Sequence, residues 1–398
     1  MSTAPAPVRT TGRTSVAFWI VAALFTAFLL AASAPSPLYG LYAATWHFSA
    51  LVLTAVFAVY ALALLGTLLV AGSLSDAIGR RPVLVAGVLL QLIAMGLFLA
   101  AEGLGWLIAA RVAQGAATGL VTAAIAATLI DLQPAHAPGR GSLVNSVTPT
   151  IGLAAGALMA GALVQYVADP LRTTFWVLLA LFVVLGAGLL LVPETVTARR
   201  RPSLRPRFGV GRSARSAFLA ATPALIATWA LGGFFLSLGP SVAYLLVGST
   251  NRLVGGAAVA LLTGAGAVAS LTARSRAPRR AMLAGCIELV VGAVLLVLAA
   301  AIGSPVVFFA GTLVAGLGFG TAFLGTFRTL AALATPTERG ALVGAVYIVA
   351  YLAFALPAVL AGILAVAVGL QTTVVVYGAL VALLAALAIP ATVRAVAR

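Results

Sequence analysis

Three consecutive stretches early in the chain, residues 16–46, 47–75 and 82–101, contain no Asp, Glu, Lys or Arg. Each is at least as long as the ~20 apolar residues that carry a helix across the hydrocarbon of a bilayer. A soluble domain draws roughly a quarter of its residues from the charged types. Here the share is 8%, against 63% hydrophobic, too little polar surface to wrap the chain in water. The alternating pattern of a membrane barrel is weak, so helices, which satisfy their own backbone, are the spanning option left. The expected fold class is all-α membrane protein with twelve transmembrane helices. The spans fall near 15–43, 49–74, 82–101, 105–131, 141–168, 172–192, 217–247, 253–273, 280–301, 305–333, 340–368 and 371–393.

The arginines test this division. All 23 basic residues are Arg, a composition we read as the codon bias of a GC-rich bacterial genome rather than as affinity for nucleic acid. With a cytoplasmic N-terminus, nineteen fall in cytoplasmic segments, two (Arg172 and Arg252) in outer segments, and two (Arg111 and Arg328) within spans. That asymmetry satisfies the positive-inside rule and predicts an even span count with both termini cytoplasmic, in a bacterial inner membrane. The first apolar stretch is too long for a signal-peptide core and reads as span one. The lone cysteine, Cys286, excludes a disulfide framework and a cysteine metal site.

The chain also divides in two. Residues 1–14 read as a tail, 15–193 as one six-helix half, 194–216 as a linker and 217–398 as the second half. The linker carries seven arginines, which set topology or contact anionic lipid. Arg140-Gly141-Ser142-Leu143-Val144 recurs as Arg339-Gly340-Ala341-Leu342-Val343, and Arg80-Arg81 as Arg279-Arg280, both offset by 199. Pro35-Ser36 and Tyr39 recur as Pro240-Ser241 and Tyr244, offset by 205. Two parallel repeats with a site between them near the midplane are a transporter architecture.

The loop after span two reads Gly72-Ser73-Leu74-Ser75-Asp76-Ala77-Ile78-Gly79-Arg80-Arg81-Pro82. Gly72 permits close helix approach, Asp76 can accept backbone N–H groups at a helix N-terminus, and Gly79 supplies a tight turn. This loop resembles the signature G-x-L-x-D-x-x-G-R-[RK]-x of the major facilitator superfamily, whose drug:proton antiporter branch the chain is similar to. The resemblance implies a conformational latch that holds the outward-facing state, with Asp76 reaching toward the start of span eleven. It also implies that Asp131, at the end of span four, pairs with the loop arginine in a charge relay; read alone, Asp131 is a helix-terminal carboxylate. The second copy has Ser275 and Pro278 where Asp76 and Gly79 stand, so one latch is expected to be intact.

Span four carries Arg111, Gln114, Gly115, Thr118, Gly119 and Thr122 on one helical face, unsuited to lipid. It resembles the family's R-x-x-Q-G motif, which implies a part in proton transfer for Arg111 and Gln114. Alternatively Arg111 snorkels to the outer interface. Pro149, Gly152 and Gly156 in span five partly match the family's antiporter motif, while Asn145, Thr148 and Leu153 depart from it. Glu288, about nine residues into span nine, either titrates with transport or has a structural partner. Arg328 either snorkels or closes an inner gate.

By the resemblance, the cavity is lined by spans one, two, four, five, seven, eight, ten and eleven. Tyr39, Tyr60, Trp229, Tyr244, Phe323, Tyr347 and Tyr351 are its candidate lining residues, with Arg328. Few charges project from these spans, which suits a hydrophobic or amphipathic ligand. The reading is a monomeric, proton-coupled exporter of drug-like or metabolic compounds, with no cofactor or metal. The alternative is a facilitator or importer of a small polar nutrient. An enzyme is not expected: only His47, His136 and Cys286 could serve as base or nucleophile, and without Lys there is no phosphate-binding loop of the P-loop type.

Overall fold

A computed structural model describes residues 12–134, 136–137, 139–196, 205–206, 208–249, 251–333, 335 and 338–396. The tail up to residue 11 and linker residues Arg199, Arg200, Arg201 and Arg207 lie outside the described residues. Among the described residues every regular element is helical. Twelve helices are long and apolar enough to cross a membrane: Thr14–Trp46, Ala50–Ala71, Arg80–Leu99, Leu104–Asp131, Arg140–Tyr166, Pro170–Leu191, Ala214–Ser237, Leu253–Ala273, Pro278–Ile302, Pro305–Leu333, Gly340–Val368 and Leu370–Pro390. These are spans one to twelve. The ends that carry the chain termini and the 72–82 loop form the basic end of the molecule; the opposite ends form the far end.

Two spans are broken, and the breaks explain one of the repeats. Span one consists of a helix Gly12–Ser33 and a second, Pro35–Trp46. Span seven lies in a helix Arg212–Ser237 that is followed by a second, Gly239–Val247. Pro35 and Pro240 stand at the first and second residue of the second segment, where a missing N–H is tolerated. The repeated Pro-Ser pair therefore marks the same interruption in each half.

Packing follows small residues. A Cβ at Gly285 or Gly292 of span nine would collide with Ala322 or Ala315 of span ten, and one at Gly318 or Gly325 with Leu289 or Met282. Without a hydrophobic drive between helices in lipid, such close approach supplies the dispersion contacts that hold them together. Large apolar side chains on the periphery, among them Leu89, Ile93, Val184, Val306 and Leu360, are more than half exposed. In water they would make an aggregating surface; in a bilayer they meet their own solvent.

The halves meet along spans two and eleven and along spans five and eight. At the far end Gly362 packs against Thr54 and Ala50, and Gly161 against Gly256. The Ser36 hydroxyl donates to the Leu236 carbonyl at 2.6 Å, joining the two broken spans. The Arg252 N–H donates to Gln165 Oε1 at 2.6 Å. Nearer the middle, Phe57 packs on Phe354 with ring centroids 4.9 Å apart.

Candidate functional site

Pro35 has no N–H, so the carbonyl of Ala31 one turn earlier lacks its helical donor. Gln114 Nε2 takes its place, donating to Ala31 at 2.8 Å. Arg111 Nη1 donates to the neighbouring Ala32 carbonyl at 3.3 Å and to Gln114 Oε1 at 2.7 Å. The broken span one is thus stitched to span four by the polar face seen in the sequence. Span two closes the other side. A Cβ at Gly115 or Gly119 would strike the Tyr60 or Leu64 carbonyl, so the backbones touch there. The Arg111 guanidinium lies over the Tyr60 ring, 4.4 Å from its centroid.

Arg111 is 1% exposed and turned inward, not toward the interface. An intramembrane charge is costly and needs compensation. Here carbonyls, a carboxamide and a ring face supply it, with no carboxylate in contact among the described residues. Arg111 Nε and the buried Tyr39 hydroxyl have no hydrogen-bond partner.

On the other side of the seam, Trp229 of span seven sits among Phe323, Tyr351 and Phe354, with centroids at 5.3, 5.1 and 5.6 Å. Tyr347 stacks next to Tyr351 at 6.0 Å. Trp229 and Tyr351 also pack against the core of the N-terminal half, which places them at the seam. Trp229 Nε1 is buried without an acceptor.

At the basic end, Arg80 donates to Asp76, to Ser75 Oγ at 2.7 Å and to Asp131 Oδ2 at 3.4 Å. Thr195 donates to the same Asp131 oxygen at 2.7 Å. The sequence reading missed Glu194. Its Oε1 accepts the Arg80 N–H at 2.9 Å and its Oε2 the Arg81 N–H at 3.1 Å, capping span three. Burial disfavours its charge, but the N–H groups of Val196, Arg80, Arg81 and Thr195 outweigh it and hold the carboxyl below its usual range. Gly79 serves this cap twice: its φ is +112°, and a Cβ would collide with the Glu194 carboxylate. The available signal was an acid directly after an apolar span, without a visible partner.

The remaining candidates lie apart from the seam centre. Gly152 and Gly156 seat span five against Thr26 and Leu30 of span one, and Pro149 lies within a continuous helix. Glu288 is half-buried in the contact of spans nine and ten, with Oε2 unpartnered. Arg328 donates to the carbonyls of Arg274 and Arg276 at 2.9 and 3.2 Å, capping the end of span eight. Tyr244 lies at the far end, donating to the Arg252 carbonyl at 2.7 Å. The start of span eleven meets the linker: the Gly209 N–H donates to the Ala341 carbonyl at 3.1 Å, and Gly211 abuts Glu338.

Known proteins share this architecture. A bacterial homologue of the human lysosomal transporter Spinster, in an inward-facing and unoccupied conformation, superposes with a TM-score of 0.77 at 14% identity, covering 96% of this chain and 98% of the other. The nucleoside transporter NupG gives 0.73 at 14% identity, covering 95% and 99%. The human organic anion transporter MFSD10 gives 0.69 at 17% identity, covering 94% and 99%. At these identities the likeness is one of fold. No curated protein matches the sequence. The family description "Major Facilitator Superfamily" matches residues 19–353, most of the chain. The chain therefore belongs to the Major Facilitator Superfamily, a membrane transporter of small molecules built on twelve helices.

Proposed function

We propose that this protein exports hydrophobic or amphipathic compounds by alternating access, coupled to protons. The half 15–193 rocks against the half 217–398 about the linker 194–216, in a bacterial inner membrane with both termini cytoplasmic. The observation that carries the substrate class is the aromatic wall at the seam. Trp229, Phe323, Tyr351 and Phe354 offer ring faces and one unpartnered indole N–H, with no acidic residue among them. Such a wall favours an apolar body with a single acceptor over a sugar or dicarboxylate. On this reading the contacts at Gly362, Gly256 and Ser36 close the outer side in the present conformation, and the Asp76 loop latches the opposite one.

Proton coupling needs a titratable group inside the membrane. Of the seven acidic residues, Glu288 alone lies well inside a span; Asp76, Glu102, Asp131, Asp169, Glu194 and Glu338 lie at helix ends or in loops. We assign the proton to Glu288, with Arg111 and Gln114 holding span one in register.

The test is dye export from everted vesicles. Trp229→Ala should lower export about tenfold or more, and Trp229→Phe, which keeps a smaller aromatic face and loses the N–H, by less. Wild-type export of amphipathic dyes in the Trp229→Ala variant would overturn the assignment.

A further inference from the structure

The N-terminal half holds a cavity of about 270 Å³ at its far end, apart from the seam. It lies where spans one, three and six meet and is lined by Tyr42, Trp46, Phe98, Asp169, Leu171 and Arg172, among others. Tyr42 and Trp46 stack with centroids 5.0 Å apart, and Phe98 stacks on Phe175 at 4.1 Å, so two walls are fixed aromatic pairs. The third wall is the first turn of span six. Asp169 caps it, accepting the Arg172 N–H at a long 3.4 Å, which leaves most of the carboxylate's accepting capacity open.

Two observations ask for an occupant. Tyr42 is only 2% exposed, yet its hydroxyl has no hydrogen-bond partner. Buried polar groups are nearly always paired, so this one points to a missing partner. Asp169 and Arg172 are also both exposed, and neither belongs to an ion pair among the described residues. The N-cap Asp169 and Arg172 of the first turn put a carboxylate and a guanidinium on one wall of the cavity. Opposite charges so near in sequence suit a small zwitterion, an ammonium joined to an oxyanion through a short bridge. The ammonium would sit between the Asp169 carboxylate and the Trp46 ring, the oxyanion would face Arg172, and the Tyr42 hydroxyl would find its partner.

We infer that this cavity binds a zwitterion of the aminoethyl phosphate type at the far face of the N-terminal half, a site independent of the transport route. The same chemistry occurs in a phospholipid headgroup and in a free solute, and two arms separate them. Full-length delipidated protein in detergent is titrated with phosphatidylethanolamine or phosphatidylglycerol by native mass spectrometry, and with soluble phosphoethanolamine by calorimetry. Retention of phosphatidylethanolamine over phosphatidylglycerol by about tenfold, without binding of the soluble compound, assigns a lipid; binding of both assigns the zwitterion from either source. Asp169→Asn keeps the helix cap and removes the charge, and Tyr42→Phe removes only the unpartnered hydroxyl. Both should weaken binding, the first by about tenfold. Absence of binding in both arms, equal retention of the two lipids, or binding unchanged by either substitution overturns the inference.

Discussion

Gly79 and Glu194 form one device: a left-handed turn that presents the first N–H groups of span three, and a carboxylate that receives them. A side chain at position 79 would strain the backbone by about 1–3 kcal/mol and displace Glu194. Gly79→Ala should therefore lower the thermal midpoint in detergent and reduce transport, whereas Gly103→Ala, with open space around it, should change neither. The cap also has a pH signature. The Glu194 carboxyl is held below its ordinary 4.5, so its contribution is complete above that value and is lost as pH falls through the lowered one. Thermal melts of wild type should weaken between neutral and acid pH more steeply than those of Glu194→Gln; parallel curves would show that the cap contributes nothing. The loop from Gly72 to Pro82 was legible in the sequence because its chemistry is local. Its partner was not: Glu194 stands 114 residues from Arg80, and no window along the chain joins them.

At the scale of the element, the break in span one and the polar face of span four are two halves of one feature. Pro35 removes a donor and Gln114 supplies one. Gln114→Leu leaves the Ala31 carbonyl buried and unpaired, at a cost of about 1–3 kcal/mol. Pro35→Ala restores a backbone N–H that competes for the same carbonyl. The double variant should thus be less destabilised than the sum of the two single variants, which chemical denaturation in detergent measures; strict additivity would separate the two features. The sequence displayed both parts, a repeated Pro-Ser pair and an Arg-x-x-Gln-Gly face, without their connection. Periodicity shows which side of a helix is polar, but not which carbonyl across the interface has lost its donor. Arg328 is a similar case. It reads as a charge near a helix end, and its role as a cap on Arg274 and Arg276 depends on how spans eight and ten cross.

At the scale of the molecule, charge-free length and arginine placement made the twelve helices legible, because lipid leaves so few alternatives. The seam was less so: which residues face one another across it depends on a conformation. The present one is closed at the far end by glycines that admit no side chain, at Gly256 against Ala157 and at Gly362 against Thr54. Gly362→Leu should wedge that end apart. Spin labels on Ala44 and Leu245, in a Cys286→Ser background, should then report a longer and broader distance distribution than without the wedge. Asp76→Asn should leave membrane insertion intact and impair transport, through loss of its pair with Arg80.

The proton coupling we propose, with Glu288 as the titrating group, makes transport depend on a pH gradient. Its most direct test is flux of an amphipathic fluorescent dye in proteoliposomes, with and without an imposed pH gradient. The gradient should accelerate wild-type flux, and Glu288→Gln should abolish the acceleration while leaving downhill movement in place. Wild-type flux indifferent to the gradient would contradict it.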